Sequence, residues 1–167
     1  MQVVIVILVL GVILGLVFAI NSRNKRDLLE QGKIIERKTE FFRQAHLFTT
    51  KIQSISDIGN AINQTVLNEE KISFEPRYDQ GIIVFHNQKA FGTFAAALRT
   101  LGKDDEGMHQ YNFQVEAWRE RDNSITRQDI FGANVLLTSI EKAMLQLDPD
   151  TKVDSAKFKT KTKRSLL

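Results

Sequence analysis

Few residues in this sequence have the type and spacing to do chemistry. His46, His86 and His109 stand far apart, and no His, Asp or Glu lies beside them at ligand spacing. A zinc site draws its ligands from pairs a few residues apart, so these read as ordinary histidines at strand ends. The chain has no cysteine, which excludes disulfides, thiolate metal sites and cysteine nucleophiles together. It also lacks H-E-x-x-H, a Gly-rich phosphate loop and G-x-S-x-G. Asp104, Asp105 and Glu106 are consecutive, whereas a calcium loop spaces its ligands alternately, so a solvated turn is expected there. Glu116 and Glu120 would share one face of a strand, and paired carboxylates can do acid–base work, but exposed sheet faces carry such residues routinely. No catalytic residue, metal ligand or cofactor is assigned on these patterns.

Three features point to binding instead. Trp118 is the only tryptophan. Strict alternation sets it among Gln114, Glu116 and Glu120, where a lone aromatic makes a contact residue; the plainer reading is that the last helix or the neck covers it. Lys157, Lys159, Lys161, Lys163 and Arg164 surround Phe158 in the C-terminal tail. A segment of this kind binds anionic lipid at about 1 kcal/mol per basic residue near the surface. Nucleic acid is the weaker rival, and a merely solubilising end is the plain alternative. Gly11 and Gly15 form a G-x-x-x-G, the spacing that lets two membrane helices approach closely, so a homodimer is the contact it would serve.

The elements behind these residues begin with an anchor. Residues 3–20, VVIVILVLGVILGLVFAI, are 18 consecutive residues without a charged or polar side chain. As a helix they would be roughly 27 Å long, close to a ~30 Å hydrocarbon core, and a helix satisfies its own backbone where lipid cannot. A signal peptide would have a basic start and a shorter apolar run, and a core helix would have a polar stripe. Arg23, Lys25, Arg26, Lys33, Arg37 and Lys38 follow. Basic flanks stay in the cytoplasm, so the expected topology is a single pass through the cell membrane with the N-terminus out. The bare start and small remaining body fit a bacterial protein.

Charge is laid out in blocks. Residues 21–51 carry eight Lys/Arg against four Asp/Glu, residues 52–151 nine against fifteen, and residues 152–167 six against one. An acidic body of net −6 thus lies between a neck of net +4 and a tail of net +5. The basic balance comes from the two ends, not from a nucleic-acid-binding face.

The expected order is an anchor over 1–20, a basic helical neck over 21–45, an α+β domain over 46–150 and a basic tail over 151–167. In the neck, Leu28-Leu29, Ile34-Ile35 and Phe41-Phe42 recur about every two helical turns, with Gly32 the point of interruption. Residues 46–53 alternate as a strand; a rival long helix follows Phe41, Ala45, Phe48, Ile52 and Ile55 at coiled-coil steps. Ser54 or Ser56 would cap a helix over 57–68. Short strands are expected at 72–75 and 82–86, with a turn at 78–81 and Pro76 marking a strand end or sheet edge. Residues 110–121 read as a strand and 126–147 as an amphipathic helix stopped before Pro149. From Lys152 the low apolar content predicts an extended or disordered end.

Residues 88–101 are ambiguous. As a helix they give the βαββαβ order of a ferredoxin-like sandwich; as a strand they give an antiparallel meander covered by two helices. Both are α+β folds with a mostly antiparallel sheet covered by two or three helices. The function expected is a non-enzymatic, membrane-tethered cytoplasmic binding or scaffold module with an unknown protein partner. The alternatives are an enzyme whose site is built from Asp, Glu and Arg outside any motif, and an exported domain with reversed topology.

Overall fold

The computed structural model describes residues 26–88, 94–118, 120–121 and 124–156. The expected anchor, and Gly11 and Gly15 within it, lie outside these residues. Among the described residues no helix is long and apolar enough to cross a membrane. The chain divides into two compact units, residues 1–36 and 37–167.

In the first unit the described chain is helical over residues 26–30 only. Gly32, at φ 64°, adopts the left-handed conformation that closes a helix. Its N–H donates to the Leu29 carbonyl at 2.9 Å, and that of Lys33 donates to the Leu28 carbonyl at 2.8 Å. The helix expected through residue 45 therefore does not resume. Residues 35–38 are irregular, and Thr39–Arg43 form a 3₁₀ turn.

The second unit is built on six strands: β1 (Ala45–Thr50), β2 (Ile72–Arg77), β3 (Ile82–Asn87), β4 (Phe94–Lys103), β5 (His109–Trp118) and β8 (Lys152–Ala156). Their order is β2-β3-β4-β5-β1-β8 and every pairing is antiparallel. A separate two-stranded ribbon pairs β6 (Glu120–Arg121) with β7 (Ser124–Ile125). The helices are α1 (Ile55–Ala61), α2 (Gln64–Glu69) and α3 (Arg127–Leu147). The α+β class with a mostly antiparallel sheet holds, and the strand order is that of the meander.

Residues 94–103 are strand, not helix, because β3 and β5 pair with them on either side. The Ala95–Ala97 run favours a helix by intrinsic propensity, and tertiary pairing overrides it. The rival long helix through residue 66 fails for the same reason, since β1 is paired on both edges. The single helix expected over 57–68 is two. Ile62 is extended and buried, and the Asn63 carboxamide oxygen accepts the N–H groups of Thr65 (3.1 Å) and Val66 (3.4 Å) to start α2. Pro76 lies on β2, an edge strand, where its missing N–H costs no ladder bond.

The start of the tail also departs from expectation. Residues 152–156 form β8, with Val153 opposite Phe48 and Ala156 opposite Ala45. Composition predicted disorder, but the edge of β1 supplies backbone partners to any segment that reaches it.

The core lies between the sheet and the helices. Phe48, Ile83, Phe85, Leu98, Tyr111 and Phe113 come from the strands, and Ile58, Leu67, Leu136, Leu137 and Ile140 from the helices. Tyr111 donates its hydroxyl to the Ile52 carbonyl at 2.9 Å, and burial pushes that hydroxyl up to about 12. The opposite sheet face carries Leu47, Ile82, Val84, Asn112 and Gln114, all half-buried.

Candidate functional site

Two ends of the sheet gather polar groups, and the strand register places them. At one end, here the junction end, Ala45 opens β1 and is paired with Ala156, the last residue of β8. At the far end Thr49 pairs with Lys152, and Thr50 with His109.

The junction end is held by a buried polar network. Arg37 donates from Nε to the Asn134 carboxamide oxygen at 3.1 Å and its guanidinium pairs with Glu141. Thr138 donates its hydroxyl to the same Asn134 oxygen at 3.2 Å. Arg37 also lies 6.0 Å from the centre of the Phe41 ring, within range of a cation–π contact. His46 faces the Phe41 carbonyl through Nε2 at 3.1 Å, and Ser155 faces its Nδ1 at 3.4 Å. A carbonyl only accepts, so Nε2 carries the proton and Nδ1 accepts from Ser155. Burial pushes the His46 pKa down, which keeps the ring neutral. His46 thus ties the incoming chain, β1 and β8 together.

Trp118 belongs to this end and faces the core side. Register shifts between Ala95/Ala96, which pair with Ala117 and Val115, so Glu116 has no opposite residue. This β-bulge flips the alternation after Val115. Trp118 therefore joins the side of Tyr111, Phe113 and Val115, half-buried and packed on the core, with its ring 5.6 Å from that of Phe42 and edge-on to it. The covering of Trp118 by the incoming chain is the plainer of its two sequence readings. Lys157, Lys159, Lys161, Lys163 and Arg164 lie outside the described residues.

The far end carries a cleft of about 360 Å³ lined by Thr49, Asp104, Asp105, Glu106, Asp150 and Lys152 among others. Two of its acids are already engaged. One Asp104 oxygen accepts the N–H groups of Glu106 (3.0 Å) and Met108 (2.8 Å), and Asp150 pairs with Lys51 at 2.6 Å. Beside it Asp148 accepts the Thr50 hydroxyl and the Lys51 N–H, each at 2.7 Å, and these bonds hold its carboxyl below the usual carboxylate range. No group of three His, Cys, Asp or Glu among the described residues could hold a metal ion.

No protein-family model matches this chain, and no curated protein or solved structure is significantly similar to it.

The other residues noted in the sequence are dispersed. His86 lies 3.9 Å from Glu75 on the β2–β3 edge, and His109 opens β5 at the far end. Glu116 forms a two-pronged ion pair with Arg99, one contact at 2.9 Å, which commits it to a cross-strand partner. Two polar groups were missed in the sequence. Asp129 is fully buried, with one oxygen accepting the Thr126 hydroxyl at 2.8 Å and the other without a hydrogen-bond partner among the described residues; burial pushes its pKa up. The Thr126-x-x-Asp129 spacing is the one signal that could have found it, since a capping pair opens a helix in this pattern. Glu141 carried no signal, because its partner Arg37 is distant in sequence.

Proposed function

We propose that this protein is a membrane-tethered binding or scaffold module, anchored by residues 3–20 and presenting its α+β domain in the cytoplasm. The observation that carries the reading is the run of 18 uncharged apolar residues followed at once by Arg23, Lys25 and Arg26. Two features of the domain support it. The chain joins the second compact unit at Arg37, where an ion pair, a cation–π contact and two phenylalanines fasten it to α3 and the sheet. A domain so fastened keeps a fixed face toward its tether. The sheet also offers a broad half-buried face and an acid-lined cleft as contact surfaces.

Reporter fusions test the topology. A reporter active only outside the membrane, fused after Leu167, should be silent, and one active only in the cytoplasm should work. The opposite pattern would support the exported alternative. Failure of the full chain to float with lipid vesicles would remove the anchor altogether.

A further inference from the structure

We infer that the neck and tail clamp the domain onto an anionic lipid surface at two adjacent points, with the acid-rimmed end of the sheet turned away. The inference rests on the membrane-tethered reading and adds an orientation and a lipid class to it. Its basis is the pairing of Ala45 with Ala156. Because these residues are neighbours, the chain enters the sheet and leaves it at the same end. Lys38 and Arg43 precede β1, and Lys157, Lys159, Lys161, Lys163 and Arg164 begin directly after β8. Arg37 is not counted, since Glu141 already occupies it.

The far end has the opposite sign. Asp104, Asp105, Glu106, Asp148 and Asp150 gather there against Lys51, Lys103 and Lys152. The five steps of β1 from Ala45 to Thr50 separate the two ends by about 17 Å. The screening length at physiological ionic strength is about 8 Å. An anionic surface at the junction end therefore attracts the basic segments with little opposition from the far-end acids, although residues 52–151 carry net −6. The arrangement of charge decides the outcome, and the total does not.

Each basic residue near such a surface contributes roughly fivefold to partitioning, so the five in the tail together amount to about 100-fold or more. The protein contains its own probe, because its single tryptophan, Trp118, ends β5 at the junction end. The full chain is reconstituted in vesicles of phosphatidylcholine alone or mixed with phosphatidylglycerol, each with a dansyl-headgroup lipid. Energy transfer from Trp118 to dansyl is then read. Transfer should be higher with phosphatidylglycerol, fall with added salt, and drop to the neutral-vesicle level in the K157Q/K159Q/K161Q/K163Q/R164Q variant. The far-end variant D104N/D105N/E106Q should leave it unchanged.

Flotation with neutral vesicles at high salt reads the anchor separately. A chain that does not float refutes the membrane-tethered reading. A chain that floats but shows equal transfer on both lipids, or undiminished transfer in the tail variant, refutes the clamp alone. A rise in transfer in the far-end variant would show those acids within screening range of the surface and would overturn the orientation. A tail variant that keeps its lipid contact but loses binding to a single-stranded oligonucleotide would make the tail a nucleic-acid arm.

Discussion

The Arg37–Glu141 pair permits the sharpest test of how the domain holds its tether. The Arg37 side chain is 16% exposed and that of Glu141 10% exposed, so both ions are largely out of water. Removing one partner of such a pair leaves an uncompensated charge, at a cost of about 3–5 kcal/mol when burial is complete, while replacing both by apolar side chains of similar size is close to neutral. With the residual exposure, Arg37→Ala or Glu141→Ala should each cost about 3 kcal/mol. On a urea slope of about 2 kcal/mol/M that moves the midpoint by about 1.5 M. The Arg37→Met/Glu141→Met double variant should lose about 1 kcal/mol or less, far below the sum of the single losses. Trp118 emission reports the transition, because the indole packs on Phe42, which lies in the same segment as Arg37. Single losses below about 1 kcal/mol, or a double loss equal to their sum, would refute the reasoning and make the pair an incidental surface contact.

Other outcomes follow from the same structure. Phe42→Ala should red-shift Trp118 emission and cost about 3–5 kcal/mol, since Phe42 is fully buried in the core. Gly132→Ala should destabilise by about 1–3 kcal/mol, because the new Cβ would lie 2.8 Å from Asn87 Nδ2 and 3.2 Å from Phe94. Gly59→Ala should cost less despite meeting the Tyr78 ring, since Tyr78 is partly exposed and can swing outward while the helix gains about 1 kcal/mol of propensity; equal losses at both glycines in thermal melts would overturn this contrast.

Stability should fall on acidification in two steps. The folded His46 pKa lies below 6.5, so as pH drops through 6.5 the unfolded chain takes up a proton that the folded one refuses. Asp148, held below 3.8, contributes stability above that value and loses it as pH falls through its lower folded pKa. Asp129 acts with the opposite sign, since its raised pKa favours the protonated folded state. His46→Asn should flatten the first step in urea titrations, and an unchanged slope would show that His46 titrates freely.

The sequence by itself determined what depends on local periodicity. The strands at β1, β2, β3 and β5 and the helix α3 follow from alternation and from the i, i+4 pattern, because one face of each must be apolar to be buried. The block layout of charge and the uncharged apolar run at residues 3–20 are also properties of sequence alone. Tertiary structure decided the rest. Residues 94–103 became a strand because β3 and β5 flank them, and residues 152–156 became one because β1 had an open edge. Trp118 turned inward because a bulge at Glu116 adds one residue, and a one-residue shift reverses every later side chain. Asn134, Thr138 and Glu141 are buried on a flank of α3 outside its predicted apolar face, where Arg37 reaches them. The meeting of Ala45 with Ala156 joins residues more than a hundred positions apart. No local pattern encodes such a pairing, because backbone hydrogen bonds between strands carry no side-chain signature.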